Sequence, residues 1–397
     1  MRILYIATKN PFPPNEGGKI ATFGNLKYLG ERGHKVSFVF YSNKFDLDKN
    51  ELQKFAHSIK PVDYDTSNSV LGMLKNLFSP VPYNISKYHS KIMKDVVLET
   101  LSKNKFDIVL IENLHIGFLV DEIKMNFKIP VVLRQHNLEM KIMKRFFESE
   151  SNFVVKLFAK IQYLKFLKYE PQTCSKFDKV IMITEKDEEE LLKLNSAIKT
   201  TVIPAGFEQN SLKLPISQKE RFSLFHIGRL DWPPNIDALK YFISEILPEL
   251  IVKENRIRFY VYGGVLPNII SIPDNIKSHI IQKGFVKDLW SEIADKELAV
   301  VPLRIGSGMR LKIIELLAAG HNIISTAIGS EGIEVEHKKH LLIANNNNEF
   351  IKNIVDFFEG KFNNKLMVEN GRKLVEENYS WGKIVEKLEK TFLDLIN

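Results

Sequence analysis

The chain has 397 residues, 44% hydrophobic and 26% charged, with 56 basic against 48 acidic side chains and a formal charge of +8. That length exceeds one ordinary core and suits two, and the composition is that of a folded globular protein rather than a disordered one. No stretch approaches the roughly 18 uncharged apolar residues of a spanning helix. The opening apolar run 3–7 is too short for a secretory leader, and the single cysteine, Cys174, excludes an internal disulfide or a multi-cysteine metal cluster. The expectation is a cytoplasmic chain.

In chain order, short apolar runs lie at 2–7, 36–41, 107–111, 131–134 and 179–184. Others follow at 201–204, 222–227, 258–262, 279–281, 299–303, 322–326 and 341–344, with helical patterns at 18–32, 188–194, 236–253 and 310–319 between them. Several runs are continuous Val, Ile, Leu and Phe, as in strands buried on both faces. The rhythm predicts βαβ units and two parallel sheets, an α/β protein. Residues 63–82 read as irregular. The string Asp63-Tyr64-Asp65 within them, a D-x-D of the kind that binds metal elsewhere, lies away from any predicted strand end and reads as solvent-exposed acid. Residues 204–219 are polar and aperiodic, as linkers are. The predicted domains are therefore 1–205 and 206–378, with 379–397 forming a last helix that packs back on the first.

The segment 141–168 holds seven basic and two acidic residues, a local +5. Residues 152–169 pattern as a helix whose docking side carries Val155, Phe158, Ala159, Gln162 and Phe166. The other side mixes Lys156, Lys160, Lys165 and Lys168 with Leu157, Ile161, Leu164 and Leu167. That face suits an anionic membrane surface. It equally suits a core helix whose lysine stems cover apolar neighbours. No nucleic-acid motif accompanies the lysines, so no nucleic-acid partner is expected.

The most informative segment runs from Pro302 through Leu303-Arg304-Ile305-Gly306-Ser307-Gly308-Met309-Arg310-Leu311-Lys312-Ile313-Ile314-Glu315 to Gly320. A buried strand ends, a small-residue loop follows, and a helix begins near Met309. Free N–H groups at a helix start, with Gly306 and Gly308 admitting close approach, suit an anion. Lys312 adds a charge in the first turn, and Glu315, three residues on, can accept hydrogen bonds from vicinal hydroxyls. Together they suit a nucleoside diphosphate. Taken alone, the same Lys–Glu pair also fits an ordinary surface helix, where it is worth about 0.2–0.5 kcal/mol.

The whole string resembles the donor-binding signature of retaining glycosyltransferase family 4, in a branch with G-S-G-x-R-L-K motifs. Further strings extend the resemblance along nearly the whole chain: 13–18 with 31–36, Arg134-Gln135-His136-Asn137, 202–206, His226-Ile227-Gly228-Arg229, Gly284-Phe285-Val286, Glu331-Gly332 and Tyr379-Ser380-Trp381. The resemblance implies the GT-B fold, two Rossmann-like domains with parallel sheets facing across a cleft. It implies a retaining enzyme of hexosyltransferase type, moving a sugar from a nucleotide-sugar donor to a glycan or lipid-linked acceptor in surface polysaccharide, lipopolysaccharide or other glycoconjugate synthesis. By the same resemblance, Arg229 and Lys312 hold the diphosphate, Glu315 the ribose, and the backbone at Phe285 and Val286 the base. His136 serves the reaction centre or donor sugar, and Gly17 and Gly18 form a phosphate- and acceptor-side loop. The amides of Gly306, Ser307, Gly308 and Met309 face the donor.

Two positions depart from the family pattern. Ser307 stands where many relatives carry a first glutamate, and residues 231–235 lack the lysine that often follows the domain-opening arginine. Two other readings stay open on the residues alone, a nucleotide-sugar epimerase and a non-catalytic donor-binding subunit. The histidines show no ligand spacing, so no metal and no cofactor is expected, and peripheral attachment to the inner face of the plasma membrane fits the lysine-rich helix.

Overall fold

In the computed structural model, the run Arg2–Ala7 forms β1, buried from Ile3 onward. It pairs in parallel with β2 (Lys35–Ser42) and, on its other side, with β4 (Ile108–Glu112). With β3 (Ser58–Asp63), β5 (Val131–Arg134), β6 (Lys179–Met182) and β7 (Thr200–Val202), the order across the sheet is β3-β2-β1-β4-β5-β6-β7. Its direction of growth reverses between β1 and β4, the kind of point where open α/β sheets bind ligands. The structure describes residues 1–14, 16–42, 49–150, 152–208, 218–306 and 308–397. All strand pairings named here are parallel.

The expected runs omit β3. Its sequence is only half-buried, and it sits at the sheet edge, where Pro61 is tolerated without a backbone N–H to donate. Because Asp63 closes this strand, the D-x-D string does begin at a strand end, contrary to the sequence reading. Asp65 accepts from the Ser67 N–H at 2.8 Å and from its hydroxyl at 3.1 Å. The stretch that follows is not wholly irregular either. Val70–Asn76 is a helix whose N-cap Ser69 accepts from the Gly72 N–H.

Two compact units result, Met1–Gly206 with Trp381–Asn397, and Phe207–Ser380. The last helix, Trp381–Ile396, joins the first unit through Trp381. A Cβ on Gly24 would fall 2.0 Å from that indole, and one on Gly206 2.5 Å from it, so both positions accept only glycine. Tyr28 stacks on the indole at 6.0 Å, and Arg32 and His34 both reach Glu389 at 2.6 Å. Residues 209–217 of the expected linker lie outside the described residues.

In the second unit, β8 (Glu220–Ile227), β9 (Arg258–Tyr262), β10 (Ile280–Gly284), β11 (Lys296–Val301), β12 (Asn322–Ser325) and β13 (Leu342–Ile343) run in the order β10-β9-β8-β11-β12-β13. The switch point here lies between β8 and β11. The single helix expected over 236–253 is instead Pro233–Tyr241, a π-turn at Phe242–Ile246 and Leu247–Lys253. Pro248 supplies the reason, since it has no N–H for the helical ladder.

The lysine-rich helix spans Phe153–Cys174, longer than expected. Ala159, Gln162 and Phe166 are buried, but Val155 is exposed rather than docked. Lys165 leaves the exposed face, and its ammonium donates to the Asn76 carbonyl at 2.5 Å and to the Asn76 side chain at 3.1 Å.

Candidate functional site

In the second unit, side chains converge on the switch point between β8 and β11. The helix after β11 is Leu311–Ala319, so it starts two residues beyond Met309. Arg310 is its N-cap residue in extended conformation, and its guanidinium donates back to the Gly308 carbonyl at 3.0 Å. Gly306 and Gly308 take φ of 123° and 77°, and a Cβ on Gly306 would lie 2.2 Å from the Arg310 guanidinium. The glycine loop is thus shaped around this chain's own arginine, a residue the sequence reading passed over. Ser307 lies outside the described residues. Met309 is partly buried against the core beneath.

Lys312, in the first turn, reaches across to the end of β8. Its ammonium donates to the Ile227 carbonyl and to the Asn235 side-chain oxygen, each at 3.0 Å. Asn235 also donates to the Arg229 carbonyl at 2.9 Å, tying lysine and strand end together. Gly228 makes room for this, because a Cβ there would lie 2.7 Å from Asn235 and 3.1 Å from the ammonium. Among the described residues, Lys312 meets only neutral acceptors. Burial, with the nearby Arg310 charge adding to it, lowers its pKa to about 7. The side chain of Glu315, one turn on, has no hydrogen bond or ion pair among the described residues, and burial raises its pKa to about 7.

The Arg229 guanidinium turns to Asp231, with bonds of 3.0 and 2.6 Å, and its side chain is 67% exposed. The structure therefore brings Lys312, Asn235 and the Arg229 backbone to one strand end but leaves the guanidinium at the rim. Beyond β10, Phe285 is 90% exposed, while Val286 is partly buried against the core.

In the first unit, the corresponding edge lies at the switch point between β1 and β4. Gly17 opens the Gly17–Glu31 helix, and a Cβ on Gly18 would lie 3.3 Å from His136 Nδ1. The other His136 nitrogen bonds Glu112, at the end of β4. The same fully buried carboxylate accepts from Arg134 at 3.0 Å and from the Tyr5 hydroxyl at 2.5 Å. Burial alone would raise the Glu112 pKa; Arg134, His136 and the Tyr5 bond outweigh it and hold it at about 2. Glu112 escaped the sequence reading because the apolar run 107–111 ends one residue short of it. Asn15, in the expected loop, lies outside the described residues.

Among the described residues, no three His, Cys, Asp or Glu side chains come together as a metal site, and no helix is long and apolar enough to cross a membrane.

Residues 221–359 match the family model described as glycosyl transferases group 1. A 44.6 kDa protein of the cps region of Klebsiella pneumoniae is 25% identical over 98% of this chain and 99% of its own length. Among solved structures, sucrose-phosphate synthase of Thermosynechococcus elongatus aligns over 100% of this chain and 99% of its own, at 15% identity and a TM-score of 0.69. HepE of Anabaena in complex with UDP aligns over 99% and 100% at 14% identity, with a TM-score of 0.68. The fold is thus GT-B, two Rossmann-like units, and the match to the group 1 glycosyltransferase model lies within the second of them.

Proposed function

We propose that this glycosyltransferase moves a sugar from a nucleoside-diphosphate donor to an acceptor hydroxyl with retention at the anomeric carbon, in the synthesis of a surface polysaccharide. One observation carries the donor reading: the Lys312 ammonium, at a switch point, lacks an anionic partner among the described residues. A partly desolvated cation of this kind gains from any anion that reaches it. A diphosphate supplies one, and Glu315, free to accept at the same helix face, suits a ribose diol. HepE binds UDP and has been crystallised with UDP-glucose, which supports the same donor class. The cps-region relative supports the polysaccharide setting.

The chemistry follows from charge. As the bond from the anomeric carbon to the diphosphate oxygen breaks, negative charge grows on the leaving group. Lys312, with Arg229 at the rim, stabilises it in a fixed position. The acceptor oxygen bonds the same face of the carbon, and its proton passes to the departing phosphate oxygen. Nothing in that step calls on a metal or a cofactor. We assign His136, held by Glu112, to the sugar or acceptor side.

The test is a thermal-shift and calorimetry panel of UDP, GDP, ADP, CMP and their sugars on the wild type and on Glu315→Ala. One nucleoside diphosphate should stabilise the wild type and bind Glu315→Ala about tenfold more weakly (about 1.4 kcal/mol). Silence across the panel defeats the reading, and sugar interconversion without acceptor would mark an epimerase.

We further propose that the first unit docks on an anionic bilayer. Phe153, Val154, Leu157 and Leu164 are exposed along the Phe153–Cys174 helix beside Lys156, Lys160 and Lys168. The Val70–Asn76 helix, tied to it through Asn76, exposes Val70, Leu71 and Leu74, and Phe78 just beyond is 94% exposed. Apolar side chains among lysines match an acidic lipid interface. Sedimentation with phosphatidylglycerol vesicles should fall when Lys156, Lys160 and Lys168 become Gln, and undiminished sedimentation removes the bilayer from the account.

A further inference from the structure

A second group of polar side chains stands along the carboxyl edge of the first sheet, apart from the Glu112 network. His115 lies in the turn Leu114–Ile116 directly after β4, and Glu139 is the first residue of the Glu139–Ser149 helix after β5. Lys87 and Tyr88 follow the short helix Tyr83–Ser86. The backbone holds these residues firmly. Buried Glu170 accepts from the N–H groups of Glu139 at 3.0 Å and Met140 at 2.9 Å, and the Tyr41 hydroxyl donates to the Tyr88 carbonyl at 2.5 Å.

The side chains themselves face each other. His115 Nε2 and Glu139 Oε2 stand 3.7 Å apart, beyond hydrogen-bond distance, with side chains only 20% and 12% exposed. Neither side chain makes a hydrogen bond among the described residues. Both side chains are partly exposed, so their polar atoms can be reached by a ligand at the sheet edge. Two polar groups side by side on a braced backbone, each with hydrogen-bonding capacity to spare and open to an incoming ligand, make a place where a polar molecule can bind.

The chemistry of the cluster restricts the occupant. Burial foremost, then the charges of Lys87, His136 and Lys9, lower the His115 pKa to about 4, so the imidazole is neutral at physiological pH. Burial raises the Glu139 pKa to about 7, against the pull of Lys87. A phosphate or carboxylate would meet the Glu139 carboxylate, and a cation would meet Lys87. A neutral hydroxyl suits both groups, since it donates and accepts at once. The Tyr88 ring, 5.2 Å from that of His115, adds the apolar wall that a sugar ring prefers.

We infer that His115 and Glu139 bind two adjacent hydroxyls of a sugar ring lying against Tyr88, and that this ring belongs to the acceptor. The assignment to the acceptor rests on the transferase reading above; the sugar subsite itself does not. It makes the acceptor a carbohydrate, with a neutral hydroxylated residue next to the attacking oxygen. His115 and Glu139 are here positioning residues, since neither is placed on the reacting atoms.

Saturation-transfer NMR with the methyl glycosides of glucose, galactose, mannose, rhamnose and N-acetylglucosamine tests this on the whole chain. At least one glycoside should bind the wild type. Its affinity should fall about tenfold in Glu139→Gln and in His115→Ala, the loss expected for one hydrogen bond to a buried group. UDP and GDP responses should be unchanged in both variants, which separates loss of the subsite from loss of the fold. No glycoside binding to the wild type, binding unaltered in both variants, or displacement by inorganic phosphate at millimolar concentration each overturns the subsite. Glycoside binding that obeys these rules in a chain deaf to every nucleotide leaves the subsite standing and defeats only the transferase reading.

Discussion

The carboxyl edges of the two sheets are built alike and charged differently. At the β1/β4 switch point, one buried carboxylate, Glu112, collects Arg134, His136 and Tyr5, so acid and base answer each other within the chain. At the β8/β11 switch point, the Lys312 ammonium rests on a carbonyl and an amide oxygen, while the Glu315 side chain has no hydrogen bond or ion pair among the described residues. A closed network fixes geometry, and an open one waits for a ligand. The difference assigns the positioning of His136 to the Glu112 network at the first edge and anion capture to the second.

The largest expected effect comes from opening the closed network. Glu112→Gln keeps the shape but leaves the Arg134 charge buried beside a neutral amide. Breaking one partner of such a pair costs about 3–5 kcal/mol, to be read from urea unfolding midpoints. The sign with pH is fixed as well. A carboxyl whose folded pKa lies at about 2, below its ordinary 4.5, contributes stability above pH 4.5 and loses it as pH falls toward 2. The variant should lack that part of the acid sensitivity. Unchanged stability would mean that Glu112 and Arg134 are not anchoring this edge.

Lys312→Ala should behave in the opposite way. Removing a charge that stabilises the departing diphosphate should lower transfer by about 10²–10³-fold, roughly 2.7–4 kcal/mol, while unfolding midpoints hold or rise because a desolvated cation is gone. Retained transfer would place the anion elsewhere.

Protonation sharpens the same contrast. With a folded pKa of about 7 against 10.5 unfolded, Lys312 binds fewer protons in the folded chain between those values. Its burial therefore costs stability at neutral pH, and the cost fades as pH rises toward 10.5. A bound diphosphate favours the charged form, so binding at pH 8 should take up close to one proton. Calorimetry in two buffers of different ionisation enthalpy measures that uptake. It should vanish in Lys312→Ala, and uptake that persists there would assign the proton to another group.

What the sequence reveals and conceals divides along the same line between local and distant causes. Buried parallel strands announce themselves as apolar runs, as β1 does, and the loop-helix string around Lys312 is contiguous and readable. The Arg310 cap is local too, but the approach of its guanidinium to Gly306 and Gly308 depends on backbone angles of those glycines that the letters do not state. Glu112 is invisible because its partners come from positions 5, 134 and 136, brought to it by strand pairing. Lys165 patterns onto a free helix face, yet an oxygen 89 positions away claims it. The edge strand β3, interrupted by Lys60 and Pro61, has no run to detect.

Gly18 is the mildest probe of the first edge, and its two roles oppose each other in sign. As a residue near the start of a helix, it should gain about 0.5–1 kcal/mol on replacement by alanine, which loses less backbone freedom on folding. As the floor beneath His136, it has no room to spare, since the new methyl would stand 3.3 Å from Nδ1 and 3.7 Å from Cε1. The imidazole must then shift by a few tenths of an ångström while Glu112 holds its other nitrogen. A displacement of that size costs far less than the roughly hundredfold attached to 1 Å. Gly18→Ala should therefore keep its unfolding midpoint within about 1 kcal/mol of the parent and lose about threefold to tenfold in transfer. Equal transfer with a raised midpoint would make Gly18 a helix-start residue alone, and would leave His136 anchored by Glu112 without any demand on the loop that faces it.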